Sequence, residues 1–199
     1  MICLPLLPFA LLAALACAGC AGPTAHDQGQ GADKGKGMGG MGGMGGAMMG
    51  KGRMAVATLT PTQGNNVRGV IGFHEMDGHL MVHVKATGLK PNGEHGIHVH
   101  ETGSCASTDG TSAGGHFNPD GKPHGPQNAA HHAGDMPALK ADASGVVDTK
   151  FMLMGPTIAD GATSLVARAV IVHASPDDYT TQPTGNSGAR IACGVIAAH

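Results

Sequence analysis

The chain has 199 residues, of which 13% are charged and 3% aromatic, and its formal net charge is −2. This length fits one domain of about 100–150 residues with additional segments. The near-neutral charge, the absence of tryptophan and the lack of a basic stripe argue against nucleic-acid binding.

The first segment predicts export. Residues 4–16 form an apolar run with the length of a signal-peptide core, and it is shorter than the roughly 20 residues that a transmembrane helix needs. The usual lysine or arginine is missing from its start. We expect residues 1–19 to be a signal peptide that is removed.

Residues 20–53 are rich in glycine and methionine and poor in groups that could form a core, so we expect a disordered linker. Met38, Met41 and Met44 recur every third residue, Met48 and Met49 follow, and His26 lies upstream. Thioethers suit Cu(I), which favours a copper-collecting tract. A glycine-rich spacer without a copper function remains the alternative.

From residue 54 to residue 199 the pattern predicts one all-β domain. Short alternating or β-branched runs are separated by turn signals such as Asp77-Gly78, and no helical period appears. The composition favours an antiparallel sandwich or barrel. The predicted strands cover residues 55–59, 67–73, 79–85, 94–100, 146–153, 164–172 and 189–196.

Two stretches, residues 102–140 and 175–188, lack a strand pattern. Loops of this length in a compact domain usually carry function. The first of them holds four histidines, His116, His124, His131 and His132. In the strand before it, His98 and His100 are two residues apart, so their side chains share a face and can bind one ion.

The order of these motifs closely resembles the bacterial exported form of the copper/zinc superoxide dismutases, over residues 54–197. Each motif alone is weak, but the set in this order is specific. The motifs are Gly96-Ile97-His98-Val99-His100-Glu101, Gly115-His116-Phe117-Asn118-Pro119, His132-Ala133-Gly134-Asp135, Val172-His173 with Asp177, and Gly188-Ala189-Arg190-Ile191-Ala192-Cys193-Gly194.

The resemblance implies an eight-stranded Greek-key barrel, of the immunoglobulin-like sandwich type, with a long metal-binding loop and a second active-site loop. It also implies one copper and one zinc ion per subunit, and a role for the shared histidine as proton donor. Three imidazoles with one carboxylate suit zinc, and four imidazoles suit Cu(II). The implied copper ligands are His98, His100, His116 and His173, and the implied zinc ligands are His116, His124, His132 and Asp135.

Further roles follow from the same resemblance. Asp177 matches a carboxylate that bridges a copper ligand and a zinc ligand, although Asp178 competes for this role. Arg190 matches the arginine that attracts superoxide beside copper, with Lys122 and Lys140 as further candidates for attracting the anion.

The other histidines are assigned by the same motifs. His132 fits the His-x-Gly-Asp frame better than His131, and His95 matches a position bonded to backbone. No ligand position matches His74, His79, His83 and His199, which we expect on the surface.

The cysteines predict a disulfide and a lipid anchor. Once the signal peptide has been removed, Cys105 and Cys193 are the cysteines left in the domain, and an exported pair favours a disulfide; the family has its intrasubunit disulfide at these positions. Ala18-Gly19-Cys20 resembles a bacterial lipoprotein cleavage box, which would leave Cys20 acylated. Cleavage before Cys17, or cleavage without lipid, remains open.

The resemblance predicts dismutation of superoxide to oxygen and hydrogen peroxide. The expected location is the periplasm or cell surface, with a lipid anchor in the membrane and a monomeric or homodimeric state. The alternative is a lipoprotein that stores or delivers copper on the same fold, with the methionine tract as its working part.

Overall fold

The structure is a computed structural model that describes residues 52–199. The predicted signal peptide, the methionine tract, Cys17 and Cys20 lie outside the described residues. Within the described part, no helix is long and apolar enough to cross a membrane, and the one helical element is a 3₁₀ turn at Thr111–Ala113.

Nine antiparallel strands form the framework of the described part of the chain. Seven of them form one sheet in the order β5-β8-β9-β1-β2-β3-β7, and β4 pairs with β6. The strands are β1 (Met54–Pro61), β2 (Arg68–Met76), β3 (His79–Thr87), β4 (Glu94–His95), β5 (Ile97–His100), β6 (Leu139–Lys140), β7 (Val147–Met154), β8 (Ala169–His173) and β9 (Arg190–Ala198).

Strands β4 and β5 are one strand interrupted at Gly96. The N–H of Gly96 donates to the carbonyl of Ser175 and its carbonyl accepts from the N–H of His173, both at 2.8 Å. A side chain at Gly96 would meet Ser187. Counted together, β4 and β5 give eight antiparallel strands, and the connections from β3 to β4 and from β6 to β7 join strands that are not neighbours, as in a Greek key. The predicted fold class is confirmed.

The core is formed by alternate residues of the strands. Ile71 and Phe73 of β2 and Leu80 and Val82 of β3 are fully buried, while their neighbours along each strand point outward. Strand β5 differs, since all four of its residues are buried. Its apolar residues join the core cluster, so its two histidines face the opposite side, beneath the loops.

Besides shifts of a few residues at most strand ends, the predicted elements differ from the structure in three places. Residues 164–168, predicted as strand, form a turn in which Ala167 has a φ of 60°, and the buried Leu165 packs into the core from it. The predicted loop 102–140 contains the 3₁₀ turn and ends in β6. Arg53, assigned to the linker, lies just before β1, and its backbone carbonyl accepts a hydrogen bond from the N–H of Glu75.

Cys105 and Cys193 form the predicted disulfide. It joins the long loop to β9 and spans 88 residues of sequence. The loop-entropy relation gives about 4.5 kcal/mol of stabilisation for a closure of this size. The loop is therefore held against the sheet independently of any ion.

Candidate metal centre

Strand β5 and the end of β8 present three histidines to one side of the sheet. His98 and His100 alternate with core residues on β5, and His173 ends β8. The pairing of β8 with β9 shifts between Val172 and His173, so that His173 faces Arg190. A β-bulge re-aims the side chains next to it. The bulge therefore sets the arginine beside the histidines.

The long loop adds its own histidines by pairing with β5. The N–H of Val99 donates to the carbonyl of Gly134, and the carbonyl of Val99 accepts from the N–H of Phe117, both at 2.8 Å. Bridges place His100 opposite His116 and His98 opposite Asp135. A Cβ at Gly134 would overlap the Val99 carbonyl, so only glycine permits this approach.

Four histidines converge in a first cluster. One nitrogen from each ring lies within 4.8 Å of the nitrogens of the others. Each of these nitrogens is buried and has no hydrogen-bond partner within residues 52–199, an arrangement that is costly unless a ligand binds there. The atoms are His98 Nδ1, His100 Nε2, His116 Nε2 and His173 Nε2.

The opposite nitrogens are held, which fixes each ring. Nδ1 of His100 is 2.9 Å from the carbonyl of Gly114, Nδ1 of His173 is 3.2 Å from that of Gly188, and Nε2 of His98 is 2.6 Å from Asp177. Metal-binding histidines typically donate their other N–H in this way. The four unpartnered nitrogens therefore fit a metal ion.

A second cluster surrounds one oxygen of Asp135. Its Oδ1 is 3.0 Å from Nδ1 of His116, 3.0 Å from Nδ1 of His124 and 3.3 Å from Nδ1 of His132. The Nδ1 atoms of His116 and His132 are 3.4 Å apart. Four ligands about 2.0–2.1 Å from a tetrahedral zinc ion lie about 3.3 Å apart, so these atoms fit zinc.

Distance alone also groups His98 with His116, His124 and Asp135. The hydrogen bonding of His98 excludes it from the second cluster. Its Nε2 is bonded to Asp177, and its unpartnered nitrogen, Nδ1, belongs to the first cluster. His132 completes the second cluster instead. His131 points elsewhere, with its Nδ1 2.7 Å from the carbonyl of Ala129.

Asp177 joins the two clusters. Its Oδ2 lies 2.6 Å from Nε2 of His98 and its Oδ1 lies 2.9 Å from Nε2 of His124. Asp178 is exposed and accepts from Thr180 and Thr181. The structure therefore puts Asp177, and not Asp178, between the two sets of histidines.

Burial makes the first cluster suitable for metal. Loss of solvent lowers the pKa of His98 to about 4, of His100 to about 2 and of His173 to about 3. These imidazoles are neutral at physiological pH, as metal binding requires.

The second cluster has carboxylates that counter the effect of burial. Burial alone would lower the pKa of His124, but Asp135 and Asp177 raise it to about 9. Burial alone would likewise raise the pKa of Asp135, but hydrogen bonds from His116 and His124 bring it well below its usual range. The carboxylate is therefore ionised, and a metal ion would displace the proton of His124.

Arg190 sits at the rim of the first cluster. It donates from Nη1 to the carbonyl of Gly110 at 2.8 Å and from Nη2 to that of Gly114 at 2.7 Å. The Gly114 carbonyl also bonds to His100, so the guanidinium and a histidine of the cluster share one hydrogen-bond acceptor. Arg190 also lines an open cavity of about 470 Å³ with Thr62, Asp109 and Thr111 among its walls.

The remaining histidines lie apart from both clusters. His95 is buried with Nδ1 2.9 Å from the carbonyl of His173, which confirms the predicted backbone bond. His74, His79 and His83 lie on β2 and β3, and His199 follows β9. Sequence patterns did not reveal the carbonyl partners of Arg190, because the glycines that supply them carry no local signal.

Comparisons with known proteins identify the family of this chain. The copper/zinc superoxide dismutase (SODC) family model matches residues 67–196. "Superoxide dismutase [Cu-Zn] 2" of Aquifex aeolicus is 40% identical over 147 residues, covering 71% of this chain and 85% of that protein. "Superoxide dismutase-like protein YojM" of Bacillus subtilis is 42% identical over 135 residues, covering 63% of this chain and 69% of that protein.

Solved structures of SOD-like proteins are similar to this one in fold. The crystal structure of a SOD-like protein from Bacillus subtilis has a TM-score of 0.64 and 39% identity, covering 70% of this chain and 95% of that one. A double mutant of such a protein from the same organism gives a TM-score of 0.65 and 42% identity, with 70% and 94% covered. This chain belongs to the copper/zinc superoxide dismutase family, and it is an enzyme of that type.

Replacing Asp177 with asparagine should weaken zinc binding. The change removes the charge that holds the rings of His98 and His124, and loss of such a partner typically lowers metal affinity about 10- to 100-fold. Zinc release to a competing chelator measures it. Asp178→Asn is the matched control, because that carboxylate bonds only within its loop. Equal zinc release from both variants would contradict the role given to Asp177.

Proposed function

We propose that the chain dismutates superoxide to oxygen and hydrogen peroxide with a copper ion at the first cluster and a zinc ion at the second. Copper would be held by His98, His100, His116 and His173, and zinc by His116, His124, His132 and Asp135. Copper in such a set supplies one-electron chemistry, accepting an electron from one superoxide and giving it to the next.

The observation that carries this proposal is the position of His116. Its Nδ1 lies in the tetrahedral group around Asp135, 3.0 Å from the carboxylate, while its Nε2 is buried and unpartnered in the other cluster. One ring thus faces both sites. Because this nitrogen has no protein partner within residues 52–199, it would be able to hold a proton whenever it is not bound to copper, and the formation of peroxide consumes protons.

Arg190 supplies the fixed positive charge for the anion. Two backbone carbonyls orient its guanidinium next to His100, and a cation in a cleft raises the local concentration of small anions. Lys122 and Lys140 pair with Asp120 and Glu94 at 3.0 and 4.0 Å. These pairs reduce the positive charge that the two lysines offer, which favours Arg190.

The complete ligand set favours the enzyme over a copper-storage or copper-delivery protein. Storage of copper requires neither the tetrahedral group around Asp135 nor an arginine beside the first cluster. Both are present in this chain. One of the relatives is itself described only as superoxide dismutase-like, so these residues, more than overall similarity, support the activity.

The proposed location is the periplasm or cell surface, where the enzyme would remove superoxide outside the cytoplasm. Three features support it: the apolar run at residues 4–16, the Ala18-Gly19-Cys20 box, and a disulfide between Cys105 and Cys193. Disulfides persist in oxidising compartments. We propose Cys20 as the acylated residue that anchors the chain to a membrane.

Replacing His116 with alanine should abolish most dismutation by the purified, metal-loaded protein. The variant loses one nitrogen from each cluster, so copper and zinc content should both fall. Activity assays and metal analysis test this together. His131→Ala is the control, since that ring bonds only to the carbonyl of Ala129. Near-normal turnover in His116→Ala would refute the shared-histidine mechanism.

Arg190→Ala should lower kcat/KM by about 10-fold or more, because a cation that attracts the substrate is removed. The dependence of the rate on ionic strength should also flatten. Arg190→Lys should keep part of the rate, and Arg68→Ala, on the exposed end of β2, should behave as wild type. An unchanged salt dependence in Arg190→Ala would exclude the steering role.

Replacing Cys20 with serine should move the protein from the membrane fraction to the soluble fraction. Mass analysis of the mature N-terminus would identify the lipid directly. Cys17→Ser serves as the control and should remain membrane-bound. If Cys17→Ser alone is released, acylation occurs at Cys17 instead. If neither variant is released from the membrane, an acyl anchor at these cysteines is excluded.

A further inference from the structure

The outer surface of the sheet carries a group of methionines and histidines at one end. On β1, β2, β3 and β7 the residues that face away from the core form cross-strand rows. In the first row, Met54 is paired with His74, His74 with Met81, and Met81 with Met152. In the second row, Met76 is paired with His79, and His79 with Met154. These seven residues are called the Met/His face below.

Methionine is more frequent on this surface than is usual for the exposed side of a sheet. The chain has 12 methionines, and six of them fall within residues 52–199. Five of these six belong to the Met/His face, and the sixth, Met136, is buried in the core. Strand surfaces usually carry β-branched or polar residues, as at Thr58 and Lys85 further along the same sheet.

The side chains of the Met/His face are accessible. Met76, Met152 and Met154 are 47%, 38% and 59% exposed, and the other members are half-buried. A tight turn at Asp77 and Gly78, with φ of 44° and 83°, brings Met76 and His79 opposite each other. Directly opposed residues in antiparallel strands have Cβ atoms about 4.5–5.5 Å apart, which is close enough for their flexible side chains to bind one ion.

The next row marks the boundary of the group. It pairs Val56 with Gly72, Gly72 with His83, and His83 with Lys150. Nε2 of His83 is already 2.6 Å from Oδ1 of Asp148. No protein partner of this kind engages the rings of His74 and His79 within residues 52–199, so their nitrogens are available.

We propose that the Met/His face binds Cu(I), at a site separate from the dismutase centre. Thioethers are soft ligands that select Cu(I), and imidazole also binds copper. Leucine or valine would serve equally well for packing against a partner, whereas here the apolar side chains are thioethers and the polar ones are imidazoles. The ligands of the proposed dismutase centre come from β5, β8 and the loops, so the two sites share no residue.

The test uses the full-length mature protein already loaded with copper and zinc, titrated with Cu(I) in competition with a colorimetric chelator. In the five-leucine variant, Met54, Met76, Met81, Met152 and Met154 are all replaced by leucine, which removes sulfur but keeps side-chain volume. Met136→Leu is the matched control in the core. A third variant carries leucine at Met38, Met41, Met44, Met48 and Met49.

The wild type, Met136→Leu and the third variant should each bind an additional Cu(I), and the five-leucine variant should bind it at least tenfold more weakly. Dismutase activity should be unchanged in all four, so failure of this site is distinguishable from failure of the proposed function. If the five-leucine variant does not fold, His74→Asn combined with His79→Asn tests the same site.

Two results would overturn the proposal. The first is a five-leucine variant that titrates like the wild type. The second is loss of the additional Cu(I) in the third variant, which would assign it to residues 38–49. The alternative role for this face is an interface between two copies of the chain, which sedimentation would detect as a dimer. A dimer formed through this face, together with equal Cu(I) titrations in wild type and the five-leucine variant, would support that role instead.

Discussion

The carboxylate of Asp135 is the group on which the arrangement of the loops depends. Its Oδ1 faces Nδ1 of three histidines, and its Oδ2 accepts the backbone N–H groups of Gly125 and His132 at 3.1 and 3.0 Å. Its own backbone is paired with His98 on β5. This residue thus joins the loop to the sheet through its backbone, while its buried carboxylate orders the loop and holds the imidazoles. Without it, the Nδ1 atoms of His116, His124 and His132 would lose the carboxylate that they share.

Much of the fold was predictable because strand periodicity and turn residues carry it. The alternation in β1, β2, β3 and β7 is regular, and Asp77-Gly78 marks the hairpin between β2 and β3. Strand β6 was missed, since two residues contain no period. The run at residues 164–168 was wrongly predicted as strand, because Leu165 is apolar for a different reason: it packs into the core from a turn.

The residues of the two clusters could be predicted from the sequence, but the atoms that face one another could not. The order of the motifs assigned the six histidines and two aspartates to one site. Which nitrogen of each ring is free depends on backbone carbonyls such as those of Gly114 and Gly188, and these have no signature in the sequence. The Met/His face is a similar case. Its members extend from Met54 to Met154 and become neighbours only through the strand register.

The disulfide fixes more than the fold. Cys105 lies in the loop that supplies the carbonyls of Gly110 and Gly114, while Cys193 lies three residues after Arg190 on β9. One covalent bond therefore connects the strand that carries the guanidinium to the loop that orients it. A chain that folded before oxidation would lack this connection at the mouth of the site. The geometry around Arg190 is thereby linked to the redox conditions under which the chain folds.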